Sequence, residues 1–266
     1  MHNRLMDLGL SDRVFVVTGG SRGLGLATAE VLVAEGAHVI LVARDQTVLD
    51  DAVASLGGGG NATGLPGDLA DPSTAERVIA AAVARYGRLD GALISVGGPA
   101  GGTPMTLEDE AWRTAFETVF LGSLRVARAA ANAMSSGPDD MSGTGGSLVF
   151  VLSTSAREVF TGLTTSNALR PALAMMVKDL ADELAPRGTR VNAVLPGRIA
   201  TDRTFALDAR YGAPDMVRRR NESAIPLGRY GDPAELGRAA TFLLSPAASY
   251  ITGALLPVDG GVLRSV

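Results

Sequence analysis

An apolar run at residues 14–17 passes directly into Thr18-Gly19-Gly20-Ser21-Arg22-Gly23-Leu24-Gly25, where helical periodicity begins. This strand, glycine-rich turn and helix constrain the fold more than any other stretch. A strand that feeds a helix through a tight turn opens a βαβ unit, because the helix carries the chain back to a parallel neighbour. The glycines permit the turn itself, a close backbone approach and close packing of helix on strand. The helix N-terminus then offers free N–H groups and the positive end of its dipole to a phosphate. Glycine-rich loops alone are often only turns. The strand–turn–helix setting is what makes this one a phosphate-binding candidate.

The same alternation continues along the chain. Apolar runs at residues 39–42, 92–95, 148–152, 191–195 and 254–258 read as buried parallel strands. Residues 62–67 form a weaker candidate, interrupted by Gly64 and Pro66. Helical periodicity occupies residues 24–35, 46–56, 72–86, 107–134, 167–185 and 233–244. The pattern predicts an α/β fold, a Rossmann-type doubly wound parallel sheet of about seven strands with helices on both faces. No domain boundary or repeat is visible, so residues 1–266 read as a single dinucleotide-binding domain. Residues 57–60 read as a helix stop and loop, and residues 137–146 as a mobile surface loop. Residues 198–226 have weaker periodicity and follow the sixth strand. Ligands of such sheets sit at the carboxyl ends of the strands, so this segment is the expected substrate lid.

Composition removes other classes of function. Apolar residues make up 46% and charged residues 20% of the 266, the balance of a soluble globular chain with a sizeable core. The net charge is −4, and Arg218, Arg219 and Arg220 form the sole basic run, which gives no footprint for nucleic acid. No apolar stretch is long enough for a membrane span. Residues 1–12 lack the layout of a signal peptide, so a cytoplasmic location is expected. The absence of cysteine excludes disulfides, thiolate ligands and a cysteine nucleophile. His2 and His38 are too few and too far apart for a metal cluster, so no metal is expected; His38, at a strand start, reads as a surface residue.

The spacing Thr18-Gly19-x-x-x-Gly23-x-Gly25 resembles that of the short-chain dehydrogenase/reductase family, and the resemblance runs to the C-terminus. Asp68-Leu69 is similar to the family's adenine-contacting pair. Trp112 and Gly122 have the family's spacing in the fourth crossover helix. Arg190-Val191-Asn192-Ala193-Val194 leads into Pro196-Gly197-Arg198-Ile199-Ala200-Thr201, similar to the turn that holds the nicotinamide half. Pro226-Leu227-Gly228-Arg229, Thr252-Gly253 and Val258-Asp259-Gly260-Gly261 also match. The resemblance implies a nicotinamide cofactor, bound by Gly19, Ser21, Arg22, Gly23, Leu24, Gly25, Asp68, Leu69, Ser95, Gly97, Arg170, Pro196, Gly197, Ile199 and Thr201. NAD-dependent members usually carry an acid at the end of the second strand, where its oxygens accept from the ribose hydroxyls. Here that place is Ala43, followed by Arg44. A guanidinium grips a 2′-phosphate in a charge-assisted fork, so Arg44 and Arg22 select NADP(H).

The resemblance also implies a catalytic tyrosine, a lysine four residues later, a serine thirteen residues before the tyrosine, and an asparagine in the fourth crossover helix. Counting back from Glu183-Leu184-Ala185-Pro186-Arg187-Gly188 puts Arg170 at the lysine place and Ser166 at the tyrosine place. The serine place keeps Ser153, and the asparagine place holds Val119. Arg170 retains donors for ribose hydroxyls but cannot shuttle a proton, because its pKa lies above ~12. Ser166 is a ring shorter than tyrosine and a far weaker acid. Val119 cannot organise a water. Ser153, Ser166 and Arg170 are therefore the catalytic candidates of an altered site, with Tyr211, Arg157 and Glu158 as possible entrants from lid and loop.

Two readings of function follow. One is an NADP(H)-dependent oxidoreductase, 3-oxoacyl-carrier-protein reductase-like, acting on a small carbonyl or alcohol substrate with a rewired proton donor. The other is a non-catalytic NADP(H)-binding relative that serves as sensor or partner subunit. A homo-oligomer, tetramer or dimer, is expected in either case. Family members usually pair the helices predicted at 107–134 and 167–185, and Ala127, Ala130, Ala131, Ala172 and Ala174 permit close approach.

Overall fold

In the computed structural model, which describes residues 7–134 and 145–265, the alternation of strand and helix closes into a parallel sheet. Its strands are β1 (Val14–Thr18), β2 (His38–Ala43), β3 (Ala62–Pro66), β4 (Gly91–Ser95), β5 (Ser147–Val151), β6 (Arg190–Pro196) and β7 (Leu255–Val258). They lie in the order β3-β2-β1-β4-β5-β6-β7, and every pairing is parallel. The central strands are apolar on both faces because helices cover both. On one face Val16, Ile94 and Phe150 pack beneath α3 (Pro72–Tyr86), α5 (Gly122–Ala133) and α6 (Thr164–Leu184). On the other, Phe15, Leu93 and Val149 pack beneath α1 (Gly23–Ala34), α2 (Gln46–Ser55) and α9 (Pro233–Leu244). The chain winds outward from β1 to β3, then crosses back to β4. That reversal opens a crevice at the carboxyl ends of β1 and β4.

The weak strand at residues 62–67 forms as edge strand β3. Its two apparent breakers suit an edge. Pro66 has no outer neighbour that needs its missing N–H. A Cβ on Gly64 would lie 3.0 Å from Leu49 Cβ, so the glycine lets α2 settle on the sheet.

Two helices depart from expectation. The long helix predicted over 107–134 is three segments: α4 (Asp109–Ala115), a π-helical stretch at Phe116–Leu121, and α5. Periodicity cannot reveal this, since one inserted residue per turn only rotates the apolar face. The helix predicted from residue 167 begins at Thr164 and contains Pro171. Its first turn is held from outside the helix, because Asn167 bonds both the N–H and the carbonyl of Phe160 at 3.1 and 2.8 Å.

Residues 198–226 fold into α7 (Asp202–Asp208) and α8 (Pro214–Ala224). Their periodicity is faint because each buries a single residue, Asp208 in α7 and Val217 in α8. Buried Asp208 accepts from Tyr230 Oη at 2.7 Å and Asn221 Nδ2 at 3.2 Å, and pairs with Arg198. This knot fastens both helices at one end. Burial, then the bond to Asp208, pushes the Tyr230 phenol pKa up.

The alanine argument for an oligomer needs correction. Ala127, Ala130, Ala131 and Ala174 are buried in this chain's own core against the sheet, and only Ala172 is exposed. Small residues here bring α5 close to β4 and α6 close to β6, not to a second copy. His38 is not a plain surface residue either. It stacks on Tyr86 at 4.9 Å between ring centroids, with Nδ1 3.1 Å from Gly60 O. No helix among the described residues is long and apolar enough to cross a membrane. The expectations for residues 1–6, His2 included, and for most of the 137–146 loop lie outside the described residues.

Candidate active site

The glycine turn is built by close approach. Thr18 Oγ1 donates to Ser95 O and accepts from Ser95 N, both at 2.9 Å, which staples β1 to β4 at the crevice. Gly19 has φ +60, and a Cβ there would stand 2.8 Å from Ser95 O. A Cβ on Gly25 would collide with Gly19 O, so only glycine lets α1 start directly above the turn. The start of α1 is chemically distinct from those of its neighbours. Asp45, Asp71 and Asp232 cap α2, α3 and α9 with carboxylates. The α1 N-cap is Arg22, with no side-chain cap and no acid in the first turn. Its N–H groups and dipole are left for an external anion. Arg22 and Arg44 are exposed beside it, and neither has a carboxylate partner among the described residues.

The residues assigned from the sequence to cofactor binding, with Ser153, Ser166 and Arg170, line one cleft of about 2140 Å³. Single-ligand pockets run to roughly 1,000 Å³, so this one has room for a dinucleotide and a second molecule. Gly19, Ser21–Gly25, Arg44, Asp68 and Leu69 form one half; Ser153, Ser166, Arg170 and the turn from Pro196 to Thr201 form the other. Ser95 and Gly97 join the halves. Asp68 Oδ1 accepts from Ala70 N at 3.0 Å, which shapes the bend after β3. A Cβ on Gly122 would lie 2.7 Å from Leu69 O, so the glycine lets α5 pass beneath the cleft wall.

The half of the cleft that holds Ser153, Ser166 and Arg170 brings hydroxyls together with a guanidinium. Ser153 Oγ accepts from Ser155 N at 3.0 Å and caps the short 3₁₀ turn Thr154–Ala156 after β5. Ser155 Oγ lies 2.9 Å from Ser166 Oγ. Ser155 was missed from the sequence, because family counting reaches positions and not the contacts between them. One turn along α6 from Ser166, Arg170 is buried and donates to Val151 O at 3.0 Å and Val96 O at 3.3 Å. Its guanidinium therefore ties the ends of β4 and β5, while its Nε has no partner. Burial, then repulsion from Arg203, lowers its pKa to about 10, so it remains a cation at neutral pH. Val119 lies in the π-helical stretch, buried, with its carbonyl accepting from Ser123 Oγ.

Of the possible entrants, Tyr211 lines the cleft and donates to Thr161 O at 3.4 Å. Arg157 and Glu158 do not. Arg157 donates to Leu255 O, and Glu158 accepts from Arg264 N. Both are spent on the C-terminal segment.

Comparison with known proteins adds names to this geometry. Residues 19–263 match the family model described as enoyl-(acyl carrier protein) reductase. An uncharacterized oxidoreductase of Mycobacterium tuberculosis is 36% identical over 256 residues, covering 95% of this chain and 93% of the relative. The 3-oxoacyl-(acyl-carrier-protein) reductase of Vibrio cholerae is 32% identical over 255 residues, covering 96% and 99%. Among solved structures, L-sorbose reductase from Gluconobacter frateurii, complexed with NADPH and L-sorbose, superposes with a TM-score of 0.89 at 30% identity. The match covers 98% of this chain and 100% of that one.

Proposed function

The chain belongs to the short-chain dehydrogenase/reductase family, and from that premise we propose that it is an NADP(H)-dependent oxidoreductase acting between a carbonyl and an alcohol. The observation that carries the cofactor assignment is the uncapped start of α1 at the sheet's switch point, flanked by Arg22 and Arg44. The NADPH held by the L-sorbose reductase supports the same assignment. In this reading Gly19, Ser21, Gly23, Leu24 and Gly25 cradle the pyrophosphate, and Arg22 and Arg44 take the 2′-phosphate. Asp68 and Leu69 face the adenine. Ser95, Gly97 and Arg170 border the nicotinamide ribose, and Pro196, Gly197, Ile199 and Thr201 hold the nicotinamide end. The cofactor supplies or accepts a hydride. Ser153 orients the substrate oxygen, and the Ser155–Ser166 pair stands where a proton donor is needed. An aliphatic hydroxyl is a poor acid, so turnover of ordinary ketones is slow. Residues 198–226 form the lid of a single domain. A homo-oligomer, dimer or tetramer, fits exposed Phe116 and Met175 on the outer face of the α4–α6 layer.

The test is calorimetric titration of NADPH and NADH into wild type and Arg44→Asp. Wild type is expected to favour NADPH by about 100-fold, and Arg44→Asp to lose most of that preference. Equal or tighter NADH binding by wild type overturns the cofactor assignment. NADPH consumption with a broad carbonyl panel, at a rate below the roughly 1–10³ per second of ordinary enzymes, supports the chemical assignment; no consumption with any carbonyl overturns it.

A further inference from the structure

Beyond the mouth of the substrate half lies a second cavity of about 290 Å³, lined by Gly98, Pro99, Ala100, Gly101, Arg203, Leu207 and Arg210. Gly98, Pro99, Ala100, Arg203 and Leu207 line the main cleft as well, so the two spaces adjoin. The cavity shares no residue with the glycine turn, Arg22 or Arg44, where the phosphates of a dinucleotide are expected. Its floor is shaped for guanidinium groups. A Cβ on Gly98 would collide with the Arg203 guanidinium, and a Cβ on Gly101 would lie 3.4 Å from Arg210 Nη1. Glycine at 98 lets Arg203 lie against this loop, and Arg210 reaches the same loop at Gly101. Arg203 donates to Pro99 O at 3.4 Å. Neither arginine meets a carboxylate among the described residues.

The positive charge there is uncompensated. Partial burial, then Arg210, lowers the Arg203 pKa, and Arg203 in turn lowers that of Arg170. Arg203 thus stands within electrostatic reach of both Arg170 and Arg210, and none of the three is paired with a carboxylate among the described residues. Like charges gathered in a concave, partly dry space raise the local concentration of an opposite ion. A guanidinium fork matches the oxygens of a carboxylate or a phosphate.

The geometry points to an anion subsite formed by Arg203 and Arg210, which makes the substrate a carbonyl or alcohol compound bearing a carboxylate or phosphate group. The inference rests on the oxidoreductase reading for the reacting group, but not for the anion. The test titrates two matched pairs into protein with and without saturating NADPH: 4-oxopentanoate against its methyl ester, and dihydroxyacetone phosphate against dihydroxyacetone. In wild type at least one anion is expected to bind about tenfold tighter than its neutral partner, and the pair that shows the gap separates carboxylate from phosphate. Arg203→Met and Arg210→Met are expected to close the gap while leaving NADPH affinity unchanged. Neither arginine is paired with a carboxylate among the described residues, and circular dichroism is expected to show both methionine variants folded before they are titrated. Arg203→Lys should keep part of the preference. Equal binding of acid and neutral compound, no binding of either pair in the millimolar range, or a gap that survives both methionine variants overturns the subsite. Variants that lose NADPH as steeply as the anion also overturn it, because the arginines then serve the cofactor. Failure of NADPH to bind refutes the oxidoreductase reading instead, and the titration without cofactor still decides the subsite.

Discussion

Arg170 and Arg190 are both buried, both have a pKa lowered to about 10 chiefly by burial, and both leave Nε without a partner. Their surroundings separate them. Arg190 Nη1 donates to Leu243 O at 2.7 Å and reaches Ile251 O at 3.5 Å; Nη2 reaches Leu244 O at 3.3 Å and Ser245 O at 2.9 Å. It closes the carbonyl end of α9, as a cation at a helix C-terminus should. Arg170 has two carbonyl acceptors, at the ends of β4 and β5, and borders the cleft. A guanidinium has five N–H donors, so Arg190 is nearly saturated and Arg170 is not. Burial and pKa alone do not mark a functional cation. Unused donors on a residue that borders a cleft do, since buried donors without partners are costly unless a ligand takes them.

The largest expected effect comes from rebuilding the family's proton donor around Arg170. Ser166→Tyr combined with Arg170→Lys is expected to raise the rate of ketone reduction by about 10²-fold or more, the usual worth of a placed general acid. Ser166→Tyr alone is expected to gain less, since Arg170 holds its charge against Val151 O and Val96 O. Single-turnover NADPH oxidation measures both, after circular dichroism shows that the added ring is accommodated. A rate unchanged in the double variant would mean that another group, with Tyr211 the first to mutate, already supplies the proton.

The second effect separates the two arginines by stability. Arg190→Met removes four hydrogen bonds, to the carbonyls of Leu243, Leu244, Ser245 and Ile251, and is expected to cost about 3 kcal/mol. Arg170→Met removes two, together with a buried charge that repels Arg203, so its cost is expected to be about 1 kcal/mol. Urea denaturation of the two variants decides. Equal losses would break the comparison and make Arg170 a second structural clamp.

The third effect reads the spare donors. Arg170→Met is expected to weaken NADPH binding by about tenfold, the loss of one or two charge-assisted hydrogen bonds. Arg190→Met, measured where it is folded, is expected to leave it unchanged. Fluorescence titration checks both.

These contrasts also locate what the sequence can and cannot disclose. The sheet was legible because β1, β2, β4, β5 and β6 are buried on both faces and so spell continuous apolar runs. The glycine turn was legible because steric collisions with Ser95 O and Gly19 O forbid any side chain there. Family counting reached Ser153, Ser166 and Arg170 as positions. It did not show that Ser155 joins Ser166, or that the Arg170 side chain runs to the strand ends instead of standing open in the cleft. Those depend on rotamers chosen by three-dimensional neighbours. The π-helical stretch was hidden because an extra residue per turn leaves no compositional mark. Arg203 and Arg210 were illegible for a related reason. Their loop, from Gly98 to Gly101, lies more than a hundred residues away, and only the fold brings Gly98 beneath the Arg203 guanidinium.

A solvated guanidinium completes the series and gives the smallest effect. Arg229 Nη1 and Nη2 meet the two carboxylate oxygens of Glu235 at 2.8 and 2.7 Å, while Glu235 also accepts from Asp232 N in the capping box of α9. The bond to Arg229, then that to the Asp232 backbone, lowers the Glu235 pKa from 4.5 to about 2. A carboxylate with a depressed folded pKa stabilises fully above its unfolded pKa and loses that contribution as the pH falls through the folded one. The window for Glu235 therefore runs from about 4.5 down to about 2. Both partners are exposed to water, which screens the pair and keeps its worth small. Glu235→Gln is expected to flatten the acid limb of the stability–pH profile within that window, because its small cost is present near neutral pH and fades as the pH falls through the window. Added salt should shrink the difference further, whereas it should not touch the cost of Arg190→Met, whose bonds lie out of solvent. Urea midpoints for wild type and both variants, taken at pH 3 and pH 7 in low and high salt, measure the contrast. A salt-insensitive loss in Glu235→Gln would show that its tie to the Asp232 N–H, and not the ion pair, sustains the start of α9.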